Sequence, residues 1–223
     1  MNSCIVESSE PVTLIAGGPV LARDLGAALG RAPVLVAADS GADRALALGR
    51  VPVAVIGDGD SLSPQAETRL AAVLHRIPEQ ATTDFDKALR SIRAPFVLAL
   101  GVTGGRVDHE LAVYGSLVRL RPIAPRCIVL GRQDMVMALP PGRTTLRLRI
   151  GERLSLFPMD KVTGRSAGLR WPLAGIGFAP TGMVGTSNEV TARDVTLDMD
   201  GEGMLLILPR RALGAVLAAR PQG

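Results

Sequence analysis

The sequence predicts an α/β N-terminal domain with a mainly parallel, Rossmann-like sheet, followed by an all-β C-terminal sandwich domain. Three observations carry this. Residues 12 to 131 alternate short aliphatic runs with longer helical patterns; Pro140-Pro141-Gly142 breaks that rhythm; and the residues beyond read at strand spacing. The boundary therefore falls at 139/140, giving domains 1–139 and 140–223.

In the first domain the strand candidates are Val12 to Ala16, Val34 to Ala38, Val53 to Ile56, Phe96 to Leu100 and Cys127 to Leu130. Ser63 followed by Pro64 reads as a helix cap and first helical position, with Leu70, Val73 and Leu74 on one face behind it. Thr83 reads as a second cap, leading a helix through Ala88, Leu89 and Ile92, with Asp84 and Asp86 favourably placed in the first turn. In the second domain Thr144 to Ile150, Leu154 to Phe157, Val195 to Met199 and Met204 to Leu208 read as antiparallel strands. The segment Arg210 to Arg220 fits either a short helix or an edge element.

Composition narrows the function classes. With 47% hydrophobic residues in 223, the chain can bury a sizeable core. Its apolar runs stop far short of the roughly 20 residues a membrane span needs, and the opening MNSCIVESSEP lacks the features of a signal peptide. A cytoplasmic protein with no membrane association is expected. The net charge of +4 rests almost wholly on arginine, since Lys87 and Lys161 are the only lysines, and no basic block occurs. Aromatics at 3% leave few platforms for stacking bases, so nucleic acid is not an expected partner. Cys4 and Cys127 lack metal-ligand spacing and read as free thiols.

The motifs converge when placed on this map. The glycines of AGGP (16–19), Asp39 of ADSGADR, the pair Asp58 and Asp60 of VIGDGDSLS (55–63), and GVTGGRVDHE (101–110) each follow a predicted strand. In a parallel α/β sheet the carboxyl ends of the strands share one edge, and ligands bind in the crevice outside it. Gly17, Gly18, Gly104 and Gly105 allow close backbone approach to phosphate, and Arg106 can bind its oxygens bidentately. Asp58, Asp60, Asp84 and Asp108 would repel a phosphate unless a cation lay between, and an all-oxygen ligand set favours Mg²⁺ over zinc. Neither GxxxxGK[ST] nor a complete GxGxxG follows the first strand, which argues against a P-loop NTPase or an ordinary dehydrogenase.

Taken in order, LIAGGP (14–19), AADSGADRAL (37–46), VIGDGDSL (55–62), TTDFDKAL (82–89), GVTGGRVDHEL (101–111), GLRWPL (168–173) and GTSNEV (185–190) resemble the motifs of the thiamine pyrophosphokinases. The resemblance implies diphosphoryl transfer from ATP to the hydroxyl of thiamine, giving thiamine diphosphate and AMP, with Mg²⁺. It also implies a homodimer with thiamine at the subunit interface. Position by position, Asp58, Asp60 and Asp84 match the acids that bind Mg²⁺ and act in catalysis, with Asp108 lining the same cleft. Gly17, Gly18, Asp39, Lys87, Thr103, Gly104, Gly105 and Arg106 match ATP-binding positions. Trp171 matches an aromatic that stacks on thiamine, with Ser187 and Asn188 beside it; for a lone tryptophan in a β domain, a core position is the competing reading.

Two departures stand out. Gly59 separates the paired aspartates where the family usually carries a bulky residue, and Val113 replaces a residue that is polar in some relatives. His109 keeps two readings, general base or loop support. Two other functions compete: a pyrophosphokinase for another hydroxymethyl heterocycle such as a pterin, and a non-catalytic nucleotide-binding regulator.

Overall fold

The strand order of the first compact unit places a switch point between two neighbouring strands, and that switch point positions everything described below. The structure is a computed structural model describing residues 4–219 and the backbone of 221–222. The chain divides into two units, the first running to Gly131 and the second starting at Arg132.

In chain order the first unit contains β1 (Val6–Glu7), β2 (Val12–Ile15), α1 (Ala22–Leu29), β3 (Val34–Ala38), α2 (Gly41–Ala47), β4 (Ala54–Gly57), α3 (Pro64–Leu70), β5 (Leu74–Arg76), α4 (Asp84–Arg90), β6 (Ile92–Arg93), β7 (Val97–Leu100), α5 (Val107–Leu120) and β8 (Cys127–Leu130). Six of these strands line up as β8-β7-β2-β3-β4-β5, and every neighbouring pair is parallel. The residues of β2, β4, β7 and β8 are all buried. Such continuously apolar strands suit a sheet covered on both faces. From β2 the chain steps outward through β3, β4 and β5, then returns to add β7 on the other side of β2. The crevice that opens where the order reverses is the usual ligand position of this architecture.

The helices follow their caps and apolar spacing. Ser63 Oγ accepts from the Ala66 N–H and Pro64 opens α3, as expected. Thr83 and Asp86 form a reciprocal capping box at the start of α4. Helix α5 buries Val113, Ser116, Leu117 and Leu120, one stripe at helical spacing.

The second unit contains β9 (Asp134–Ala138), β10 (Gly142–Arg147), β11 (Arg153–Pro158), β12 (Gly164–Ala167), β13 (Gly185–Glu189), β14 (Asp194–Met199), β15 (Met204–Pro209), α6 (Leu213–Ala218) and β16 (Pro221–Gln222). They form two antiparallel sets, β13-β11-β15-β9 and β12-β14-β10-β16. Along β14 the buried Val195, Leu197 and Met199 alternate with more exposed residues, the period of a half-buried strand.

Several expectations need correction. The division falls before β9 rather than after Leu139, because β9 pairs with β15, a partner over sixty residues away that the Pro-Pro-Gly break conceals. The second unit is not all-β: the ambiguous closing segment forms a short 3₁₀ turn and then α6, which buries Val216. Val73 and Leu74 do not extend α3; they lie in a 3₁₀ turn and in β5. Ile92 leaves α4 to pair with Val6 in a two-stranded ribbon. The polar strands β12 and β13 were not foreseen. Cys127 is buried in β8 and neither cysteine is bridged. Among the described residues no helix is long and apolar enough to cross a membrane.

Candidate active site

Glycines allow the strand ends to approach one another at the switch point. The Gly18 N–H donates to the Gly101 carbonyl at 2.8 Å, joining the ends of β2 and β7. A Cβ on Gly18 would stand 2.4 Å from that same carbonyl oxygen, so backbone meets backbone with no room for a side chain. The result is a cleft of about 540 Å³ lined by Gly17, Gly18, Asp39, Asp84, Gly105 and Arg106, among others.

Four carboxylates gather at these strand ends: Asp39 and Asp84 line the cleft, and Asp58 and Asp60 lie beside them. Asp39 follows β3 with a left-handed φ of 42° and is only 3% exposed. Its Oδ1 is buried with no hydrogen-bond partner. Burial raises the Asp39 carboxyl above the ordinary carboxylate range, and the nearby Asp84 charge raises it further. Asp58 and Asp60 follow β4 on a short loop, where the Asp60 N–H donates to Asp58 Oδ1 at 3.2 Å. Carboxylate oxygens of Asp39, Asp58 and Asp60 lie within 4.8 Å of one another.

Gly57, at the end of β4, is what lets the acids close in. A Cβ there would sit 2.9 Å from Asp39 Cβ and 3.1 Å from Asp84 Oδ1. Asp84 belongs to this neighbourhood but has different partners: its Oδ1 accepts from Lys87 Nζ at 3.0 Å and from the Asp58 N–H at 3.3 Å. Lys87 Nζ also donates to Asp58 Oδ2 at 2.9 Å. Lys87 is 1% exposed, so its ammonium is committed to carboxylates beneath the cleft. Desolvation disfavours the charged lysine, yet the hydrogen bonds it donates to Asp58 and Asp84, with their charges, outweigh it and raise the Lys87 pKa. The Lys87 hydrogen bond in turn lowers the Asp58 carboxyl to about 2.

The set fits a hard divalent cation. Three acids from two strand ends converge, one oxygen is buried and unpartnered, and all donors are oxygen. The convergent set is Asp39, Asp58 and Asp60, whereas the resemblance put Asp58, Asp60 and Asp84 at the ion.

The GVTGGR loop and α5 close the opposite side. Arg106 lines the cleft and pairs with Asp108 through Nε at 3.1 Å and Nη2 at 2.5 Å, a fork that pulls the Asp108 carboxyl downward. Asp108 therefore stands apart from the acid cluster, exposed on the first turn of α5. Gly104 has φ of 75°, and its N–H donates to Glu110 Oε2 at 2.9 Å, fixing the loop to the helix. Thr103 precedes it at intermediate exposure. His109 and Val113 also line the cleft, so the departure at Val113 gives that wall an apolar surface. Ser40, Arg44, Ser61 and Phe85 line it too, and sequence reading had not singled them out. All four lie inside motifs already quoted, which is the signal that could have found them.

The second unit presents a separate feature. Trp171 is 53% exposed, which removes the core reading for the lone tryptophan. The Arg170 guanidinium lies 5.1 Å from the centre of its ring. Asn188, buried, anchors it: Oδ1 accepts from the Trp171 N–H at 3.2 Å and Nδ2 donates to the Trp171 carbonyl at 2.7 Å. The Glu189 N–H donates to the same Oδ1 at 2.9 Å. The Asn188 carboxamide is thus spent on backbone. Ser187 stays exposed with φ of 60°, a strained geometry for a non-glycine residue, held by its N–H donating to Ser155 Oγ at 2.9 Å.

Comparison with known proteins follows the same division. Residues 25–129 match the family model "Thiamin pyrophosphokinase, catalytic domain", and residues 143–202 match "Thiamin pyrophosphokinase, vitamin B1 binding domain". Thiamin pyrophosphokinase 1 of Caenorhabditis elegans is 28% identical over 155 residues, covering 63% of each chain. Thiamine pyrophosphokinase 1 of rice, Oryza sativa subsp. japonica, is 30% identical over 166 residues, 66% of this chain and 62% of that one. The chain thus spans less than two thirds of the length of the curated relatives it matches. Among solved structures, a protein from Lactobacillus plantarum superposes with a TM-score of 0.77 at 27% identity, covering 90% of this chain and 99% of that one. Thiamin pyrophosphokinase from Candida albicans gives a TM-score of 0.76 over 92% of each chain at 16% identity, a likeness of fold.

Proposed function

The chain belongs to the thiamin pyrophosphokinase family, and on that premise we propose that it transfers the diphosphoryl group of ATP to the hydroxyl of thiamine, releasing AMP. The observation that carries this reading is the convergence of Asp39, Asp58 and Asp60 at the carboxyl ends of parallel strands, with the orphaned oxygen on Asp39, which lines the cleft. The first unit is then the Rossmann-like domain for ATP and Mg²⁺, and the second the β-sandwich that takes thiamine.

On this reading Asp39, Asp58 and Asp60 hold Mg²⁺, whose chemistry is to neutralise polyphosphate charge and polarise the phosphoryl oxygens. Arg106 reaches phosphate from the opposite wall, with a planar fork suited to two oxygens at once. The thiamine hydroxyl attacks the β-phosphorus, and the bond from that phosphorus to the oxygen bridging the α-phosphate breaks, so AMP departs with the electron pair. The hydroxyl proton is lost as the new O–P bond forms; Asp84 has an oxygen beyond the one committed to Lys87, and it is our candidate acceptor. Gly17 and Gly18 serve by letting the chain pass close to the nucleotide. Lys87 sets the carboxylates rather than touching phosphate.

Trp171 offers an indole face to the cationic thiazolium, and Asn188 fixes that face. As in the family resemblance, we place thiamine between the Trp171 surface of one protomer and the cleft of its partner in a homodimer, working in the cytoplasm.

Incubation with MgATP and thiamine should release AMP and thiamine diphosphate in equal amounts. AMP formed with a hydroxymethylpterin instead, or with neither acceptor, would overturn the proposal. Neither matched domain supports the pterin or regulator alternatives.

A further inference from the structure

Gly59 stands between the paired aspartates with φ of 80°, and a Cβ there would lie 2.1 Å from Arg76 Nη1 and 2.9 Å from Arg76 Cζ. The space over this glycine is therefore filled by a guanidinium from another strand. Arg76 closes β5, where it lies in register with Gly57 of β4. Its Nη1 donates to the Asp58 carbonyl at 2.8 Å, and its Nη2 pairs with Glu67 of α3. Next along the chain, the Ile77 N–H donates to the Gly57 carbonyl at 2.7 Å. Two consecutive carbonyls, those of residues 57 and 58, are thus held by donors of residues 77 and 76.

We propose that Arg76 is a positioning residue for the Asp58–Asp60 loop: its guanidinium occupies the place of the side chain missing at Gly59 and fixes the loop so that the Asp58 and Asp60 carboxylates converge. The small residue at 59 then does not loosen the loop. It admits a brace, and the positive φ is compatible with the glycine the brace requires. Glu67 completes the device by orienting the guanidinium and offsetting its charge. The inference rests on the metal reading of the acid cluster given above.

Two effects of Arg76 on a cation oppose each other in sign, which makes the test sharp. As a nearby positive charge Arg76 repels a divalent ion, so its loss would tighten binding; as a brace it orders the ligands, so its loss would weaken binding. Supporting groups around metal ligands typically account for 10- to 100-fold in affinity. Mn²⁺ binding to the protein alone, read by electron paramagnetic resonance of the free ion, should weaken by about 10-fold in Arg76→Ala. Arg76→Lys keeps the charge but loses the fork, and should weaken binding as well, while thermal unfolding and far-ultraviolet circular dichroism confirm the fold. Unchanged or tighter Mn²⁺ binding in Arg76→Ala, or wild-type binding in Arg76→Lys, would overturn the brace while leaving the metal site standing. Wild-type protein that binds no Mn²⁺ at millimolar concentration would overturn the metal reading and the brace with it.

Discussion

Replacing Lys87 by methionine separates a lysine that organises carboxylates from one that binds phosphate. The ammonium is 1% exposed and lies 2.9 Å from Asp58 and 3.0 Å from Asp84, whose side chains are 14% and 29% exposed. Removing one partner of a buried ion pair costs about 3–5 kcal/mol because the other charge is stranded. Here water reaches both acids in part, so the lower end applies. A second route gives a similar figure: Asp58 falls from 3.8 to about 2, largely through its Lys87 hydrogen bond, and at about 1.4 kcal/mol per unit that is about 2–3 kcal/mol. Denaturant unfolding at pH 7 in EDTA should therefore show a loss of about 2–3 kcal/mol.

The pH dependence supplies a check of sign. The folded protein holds the Asp58 proton less tightly than the unfolded chain, so falling pH favours unfolding through this group. Its contribution is present above about pH 4 and disappears toward pH 2. The gap between wild type and Lys87→Met should hold at neutral pH and narrow across that acid window. Saturating Mg²⁺ should also stabilise the variant more than wild type, since the ion replaces the missing positive charge. A variant as stable as wild type, with only its ATP requirement raised, would refute the reasoning and return Lys87 to the phosphate.

Asp60→Asn should fold normally and lower turnover at least about 100-fold, as expected when a group stabilising transition-state charge is removed; near-normal activity in a folded variant would remove Asp60 from the metal set. Asp39→Asn should cost little stability in the metal-free protein, because it relieves a buried and repelled carboxylate, yet weaken Mn²⁺ binding by about 10-fold or more. Wild-type affinity would place the ion elsewhere. Trp171→Ala should raise the KM for thiamine far more than that for ATP, and Asn188→Ala should do the same to a lesser degree while losing about 1–3 kcal/mol from its unpaired backbone contacts. Equal effects on both substrates in steady-state kinetics would argue against a thiamine role for either residue.

The parallel strands were legible because each is a buried run with no polar face to obscure it, as in VTLI of β2 or CIVL of β8. The edge strand β5 was not, since its LHR carries one apolar residue and most of it faces outward. In β12 and β13, the sequences GRSA and GTSNE lack both alternation and β-branched enrichment. Both strands form through pairing with partners some thirty residues away, β14 and β11, which a local window does not see. The site divides similarly. Placing Asp39, Asp58 and Asp60 after strands was enough to bring them to one edge. Choosing between Asp39 and Asp84 for the convergent set required knowing how the ends of β3 and β4 and the start of α4 face one another. Asn188 was placed beside thiamine by the resemblance of GTSNEV, and what no motif shows is that its carboxamide holds the Trp171 backbone. Arg76 was invisible: 18 residues from Asp58 and partly exposed, it has no signature until the strands are paired.

These particulars explain why the doubled acid of VIGDGDSLS is tolerated. Asp39 and Asp84 crowd against Gly57, Asp58 and Asp60 follow it, and one buried ammonium lies among them, so the metal-free cluster carries more negative than positive charge in partly desolvated surroundings. Such an arrangement must recruit a proton or a cation. Burial and the Asp84 charge favour the protonated form of Asp39, and on the proposed metal reading its orphaned Oδ1 is where a cation would find a ligand already stripped of water. Lys87 meanwhile keeps Asp58 ionised down to about pH 2, so that ligand needs no deprotonation to bind. Burial and repulsion thus raise the Asp39 carboxyl while Lys87 lowers that of Asp58, and on the proposed reading the difference between those two carboxylates is what would prepare the site for a cation-bound polyphosphate.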